Sequence, residues 1–166
     1  MLSLAIGIYT VYILIHIYVS VMQIGYVSQA KSGESVLLPS EEFVKAGNYA
    51  ISKERINIIS TIVEYAVMIF WMSFGIAWLD GQFLSLSPIM HTIFFVLGFV
   101  VLNALISLPF EVYQKFVLDE EYGFNKSTPA LYIKDTLISK AMMLVIGTLV
   151  IWGVGSIMLS FVMWWL

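Results

Sequence analysis

The sequence predicts an all-α, polytopic membrane protein with four transmembrane helices joined by short amphipathic cytoplasmic helices. Three observations predict it. Hydrophobic residues make up 60% of the 166 positions and charged residues 11%, against about 45–50% and about 25% in soluble domains. The charges are gathered, so that residues 1–30, 81–110 and 141–166 hold none. About 20 helical residues cross a hydrocarbon core of about 30 Å, and each gap is long enough to do so.

The first span is expected over residues 2–27. It has no positively charged start, is too long for a signal-peptide core and lacks a small-residue cleavage site, so it reads as a retained helix. The second covers residues 56–79 and carries Glu64. A carboxylate near a helix centre costs about 2.5–3.5 kcal/mol on insertion scales. Each surrounding Ile, Val, Leu or Phe favours insertion by about 0.3–0.6 kcal/mol, which keeps the span viable, and Trp71 and Trp78 suit its outer half. The third and fourth spans are expected at 87–108 and 141–166, giving one membrane domain over 1–166 with loops at 28–55 and 109–140.

Orientation follows from the basic residues. The loop between spans one and two holds Lys31, Lys45, Lys53 and Arg55; that between three and four holds Lys115, Lys126 and Lys134, with Lys140 at its edge. The amino terminus and residues 80–86 hold none. By the positive-inside rule both long loops are cytoplasmic and both termini face outward, with Trp164 and Trp165 at the outer interface. The expected location is integral and multi-pass, in a bacterial inner membrane, with the lipid bilayer as a partner. A net charge of −3 offers no basic surface, so no nucleic acid is expected, and the absence of cysteine excludes disulfides, thiolate nucleophiles and sulfur ligands.

Local chemistry organises the loops. Pro39-Ser40-Glu41-Glu42 offers a serine N-cap and two acids for the positive end of a helix dipole. Phe43, Ala46, Tyr49 and Ala50 then recur at helical spacing, predicting a short amphipathic helix that leads to the second span. In the second loop Pro109 and Phe110 open a segment with Tyr113, Phe116 and Val117 on one side, and Glu111, Lys115 and Asp119 elsewhere. Gly123 ends it, and Thr128-Pro129 starts the next helix as cap and first turn.

The stretch Leu108-Pro109-Phe110-Glu111-Val112-Tyr113-Gln114-Lys115-Phe116-Val117-Leu118-Asp119-Glu120-Glu121-Tyr122-Gly123-Phe124-Asn125-Lys126-Ser127-Thr128 resembles the amino-terminal signature of the integral-membrane CAAX prenyl proteases. Its marks are Leu-Pro, a Tyr and Phe at helical spacing, an acidic pair, Gly-Phe-Asn-Lys and a Thr. Asp135 fits the aspartate that usually follows, and Phe43, Tyr49 and Lys53 resemble a weaker pattern ahead of the second span. A lysine common three residues after that aspartate is Ile138 here, with Lys140 two positions later.

The resemblance implies a seven-span zinc metalloendopeptidase whose metal is held by a His-Glu-x-x-His helix and a later glutamate. That motif does not occur in these 166 residues, whose histidines are His16 and His91 alone. Their expected depths differ by about 15 Å at 1.5 Å per residue, while a catalytic zinc needs three protein ligands. No catalytic or metal-binding residue is therefore expected in this chain, and zinc belongs only to a full-length family member. The expected function is that of an amino-terminal membrane module, inert alone, whose partner is the carboxy-terminal catalytic part. The docking loop would comprise Pro109, Phe110, Tyr113, Glu120, Glu121, Gly123, Phe124, Asn125, Lys126, Thr128 and Asp135. The alternative is an independent four-span protein acting as a partner-binding subunit or a small transporter component.

Polar residues within the spans admit two readings. Tyr9, Tyr12, His16, Ser20 and Gln23 fall on one stripe of the first helix; Asn57, Ser60 and Glu64 share a face of the second; Asn103 and Ser107 lie four apart on the third. Such groups either bond across a packed bundle or line a water-filled chamber, as the family resemblance implies. The candidate cavity-lining set is Tyr12, His16, Ser20, Asn57, Glu64 and Asn103. Gly147 and Gly155, two turns apart, are expected at a close helix contact.

Overall fold

A computed structural model describes residues 2–33 and 39–160 of the chain. Four helices long and apolar enough to cross a membrane are present: α1 (Leu2–Ala30), α2 (Ser40–Gly81), α3 (Pro88–Glu121) and α4 (Pro129–Ser160). The end of the fourth expected span, with Trp164 and Trp165, lies outside the described residues.

The amphipathic segments are extensions of the spans. α2 continues without a break from the acidic turn at Glu41 and Glu42 through the second span, with one π segment at Trp71–Gly75. Ser40 is its first helical residue. Pro39, at φ −53° and ψ 142°, precedes it in the cap position expected of Ser40 and makes no side-chain cap, because its ring carries no acceptor; its carbonyl accepts from the Phe43 amide at 3.0 Å. α3 likewise runs through Pro109, which was expected to open a new segment. Proline within a membrane helix is tolerated when neighbouring groups satisfy the carbonyl it frees. A second π segment comes next, at Gln114–Leu118. α4 starts as expected: the Leu131 amide donates to Thr128 Oγ1 at 3.3 Å and the Tyr132 amide to Thr128 O at 3.0 Å, with Pro129 in the first turn.

The chain divides into two units, one formed by residues up to Ser73 with Ser107–Lys126, the other by Phe74–Ile106 with residues from Ser127 onward. In the first, the side-chain pairs Thr10–Tyr65, Ser20–Asn57 and Lys31–Asn48 run in opposite directions along the chain, so α1 and α2 are antiparallel. Ile13, Ser20, Ile51, Thr61, Trp71 and Leu118 are buried there. In the second, Leu79 and Ile93 are buried, and Phe83 stacks on Phe94 with centroids 5.8 Å apart. Gly147 fits its expected role, since a Cβ there would stand 3.5 Å from Leu97 Cδ2. Gly155 does not: among the described residues a Cβ there would meet nothing within 4 Å.

Gly47 on α2 lies close against Lys31, the residue that follows α1. A Cβ at this position would lie 3.1 Å from Lys31 Cβ, and the lysine is held by its 2.7 Å hydrogen bond to Asn48 Oδ1. Overpacking of this kind costs about 1–3 kcal/mol. Gly47→Val is therefore expected to lower the melting temperature of the purified chain in detergent, whereas Gly153→Ala, facing open space, is expected to leave it unchanged or raise it.

Candidate functional site

The residues of the expected docking loop build a specific turn at the end of α3. Gly123 has φ 77°, the left-handed conformation that a side chain would penalise by about 1–2 kcal/mol. Its amide donates to Glu120 O at 3.0 Å, while the Phe124 amide donates to Asp119 O at 2.7 Å. These two bonds form a Schellman motif and satisfy carbonyls that the helix end would leave bare. Asn125 reinforces the reversal, its backbone amide donating to Asp119 O at 3.0 Å and its side-chain amide to Glu120 Oε2 at 2.8 Å. Glu121 and Lys126 are exposed.

The turn is fastened to the first part of α2 by Tyr49. Its hydroxyl donates to Asp119 Oδ1 at 2.9 Å. Its ring lies 4.7 Å from that of Phe124 and 5.4 Å, edge-on, from that of Tyr122. Ser52 Oγ and the Tyr122 hydroxyl approach to 3.4 Å. Burial, then the hydrogen bond to Asp119 and the aspartate's charge, push the Tyr49 phenol above its ordinary value. Ile51 and Leu118, near Tyr49 and Asp119 in the chain, are buried at 7% and 3% exposed. Farther along α3, Pro109, Phe110 and Tyr113 face Ile56 and Ile59 across an apolar groove of about 300 Å³. The rest of the expected set, Thr128 and Asp135, belongs to the second unit, where Thr128 caps α4 and Asp135 is exposed.

The cavity-lining candidates are brought together only in part. Ser20, 4% exposed, accepts from Asn57 Nδ2 at 3.4 Å; the same amide reaches Glu54 Oε2 at 3.3 Å. His16, one turn before Ser20, has a buried Nδ1 with no hydrogen-bond partner, and Tyr12 is more than half exposed. Glu64 is exposed and lies within electrostatic reach of Tyr9. Asn103, in the second unit, donates to Phe99 O of its own helix at 2.7 Å. His91 Nε2 lies 3.1 Å from Asp80 Oδ1, out of line for a hydrogen bond. Among the described residues no three histidines or carboxylates gather to hold a metal ion.

Sequence reasoning missed the Tyr49–Asp119 pair, which joins positions 70 residues apart. Helical periodicity had placed Tyr49 on the right face of α2, and no local pattern could supply its partner.

A tyrosine whose folded-state value is raised contributes stability that is complete below the ordinary value of 10.0 and is lost as pH climbs through the raised one. The hydrogen bond itself is worth about 1 kcal/mol at a partly exposed site. Tyr49→Phe is expected to lower the melting temperature near pH 8, and the difference from wild type to shrink toward pH 11, about the range where free phenols ionise. Thermal scans in detergent across that range check both parts.

The family described as "CAAX prenyl protease N-terminal, five membrane helices" matches residues 31–166. A CAAX prenyl protease 1 homolog from Taenia solium is 31% identical over 129 residues, covering 67% of this chain and 27% of that protein. CAAX prenyl protease 1 from Saccharomyces cerevisiae is 27% identical over 123 residues, covering 66% of this chain and 27% of its own length. The crystal structure of S. mikatae Ste24p superposes with a TM-score of 0.68 at 25% identity, covering 90% of this chain and 40% of that one. The chain thus spans about a quarter of the length of the curated relatives it matches. With its Leu-Pro to Thr stretch folded as a capped turn and the family matching 31–166, the chain belongs to the CAAX prenyl protease N-terminal family of membrane domains.

Proposed function

We propose that this chain is the amino-terminal membrane module of a CAAX-prenyl-protease-like zinc metalloendopeptidase, inert alone and completed by a carboxy-terminal catalytic part that brings the His-Glu-x-x-His helix. The observation that carries the reading is the family match over residues 31–166. The relatives' greater length supports the second half of it. In this reading α1 and α2 supply wall to an intramembrane chamber, with the unpartnered His16 Nδ1 and the Ser20–Asn57 pair on its lining. The turn at 123–128 is the docking surface: Tyr49 and the Schellman motif fix its backbone, and Asn125 and Lys126 face the catalytic part.

In the complete protein, replacing Asn125 and Lys126 together by alanine is expected to lower cleavage of a prenylated CAAX peptide by about tenfold or more, equivalent to about 1.4 kcal/mol, or to lower the melting temperature in detergent. Wild-type activity together with wild-type stability overturns the docking role. The 166-residue chain by itself is expected to cleave no such peptide.

The orientation proposed with this function places residues 28–55 and 109–140 in the cytoplasm, on the strength of their lysines and arginine. The chain has no cysteine, so single replacements are clean reporters. Gly81→Cys is expected to react with an impermeant thiol reagent from outside intact cells, and Lys45→Cys and Lys126→Cys only after the membrane is opened. Labelling of Lys45→Cys from outside inverts the topology.

A further inference from the structure

Arg55 is exposed, and among the described residues none makes a hydrogen bond or ion pair with it. Its neighbour Glu54 points elsewhere, since adjacent residues on a helix do not face each other, and Glu54 Oε2 is engaged by Asn57 Nδ2 at 3.3 Å. Arg55 stands one turn before Ile59 on the same face of α2. That face borders the apolar groove of the first unit, about 300 Å³, lined by Ile56, Ile59, Pro109, Phe110 and Tyr113.

The distribution of charge sets the depth of this groove. Arg55 is the last charge before residues 56–79, which hold only Glu64, and Glu111 is the first after the charge-free run 81–110. The groove therefore straddles the boundary where hydrocarbon gives way to headgroups. Ile59, Pro109 and Phe110 fall on its hydrocarbon side. Arg55 and Tyr113 fall toward the headgroups, the level at which tyrosine is enriched.

We propose that an anionic phospholipid docks here, with the upper part of an acyl chain in the groove and the headgroup phosphate on the Arg55 guanidinium. This goes beyond the reading of the chain as an amino-terminal module and does not depend on it. Charge complementarity selects the occupant: a cation without a protein partner lies at the depth of a layer of phosphates, and a guanidinium can give a phosphate two parallel N–H···O bonds. The Tyr113 hydroxyl can donate to a further headgroup oxygen. A choline headgroup carries a positive charge next to its phosphate, which the arginine repels, so a headgroup with net negative charge is preferred. The other four lining side chains present only hydrocarbon, which suits an acyl chain and offers a free anion nothing.

Native mass spectrometry of the complete protein in mild detergent tests this, with phosphatidylglycerol and phosphatidylcholine of identical acyl chains added in turn. Phosphatidylglycerol is expected to bind more tightly, and Arg55→Gln to weaken it by about tenfold or more, equivalent to about 1.4 kcal/mol. Lys134→Gln, the same loss of charge at an exposed position in the second unit, is expected to leave it unchanged. Ile59→Trp, which fills the groove, is expected to weaken it as Arg55→Gln does. Wild-type affinity in Arg55→Gln overturns the proposal, and so does equal affinity for the two lipids. Unchanged binding in Ile59→Trp overturns it by reducing the site to a headgroup contact. No bound phosphatidylglycerol in the wild-type protein overturns it as well, since another part of the protein then covers the groove. If circular dichroism shows that Arg55→Gln does not fold, the comparison of lipids and Ile59→Trp decide.

Discussion

The interior of a bilayer offers no hydrogen-bonding solvent, and the rest of this structure depends on that constraint. Every backbone polar group in a span must be paired within the protein, which leaves helices as the way across for a chain of this composition. Side chains obey the same rule. Thr10, Thr92, Asn103, Thr148 and Ser156 each donate to the carbonyl four residues back on their own helix, at 2.7–3.0 Å. Asn57 reaching Ser20, and Thr10 meeting Tyr65, are the places where polar groups also bridge α1 and α2.

This division bears on what the intramembrane polar residues do. A hydroxyl that donates to its own helix keeps acceptor capacity, as Thr10 shows by also meeting Tyr65 of α2 at 2.8 Å. Beside the bridging groups on α1 and α2, the buried His16 Nδ1 has no partner. Among the candidates, Asn103 donates to Phe99 O on its own helix, whereas Asn57 reaches Ser20 from α2 to α1.

Much of this was legible in the sequence because its signals are local. Charge-free runs mark the spans, a glycine after Glu120-Glu121-Tyr122 marks a helix end, and Thr128-Pro129 marks a start; each depends on a few neighbouring residues and each appears in the fold. What could not be read depends on distance or on competition between signals. Tyr49 and Asp119 meet across 70 residues. Pro109 is a helix breaker by local chemistry, yet the helix continues through it. The π segments at Trp71–Gly75 and Gln114–Leu118 shift the backbone ladder without a compositional mark.

Burial is sparse: among the described residues the buried apolar side chains are Ile13, Ile51, Trp71, Leu79, Ile93 and Leu118. In water such a chain would not hold together, but in lipid an apolar side chain that faces outward forfeits no hydrophobic energy, since the surrounding tails are equally apolar. Internal packing is then needed most where lipid gives way to water. Leu118, the most buried of the six at 3% exposed, lies in the π segment that leads directly into Asp119, and Ile51 lies two residues beyond Tyr49. The aromatic and hydrogen-bonded contacts of Tyr49 gather close in the chain to these two buried side chains. A turn fixed by its own helix end on one side and by α2 on the other can present Asn125 and Lys126 in a constant geometry, which a loop held by lipid contacts alone could not.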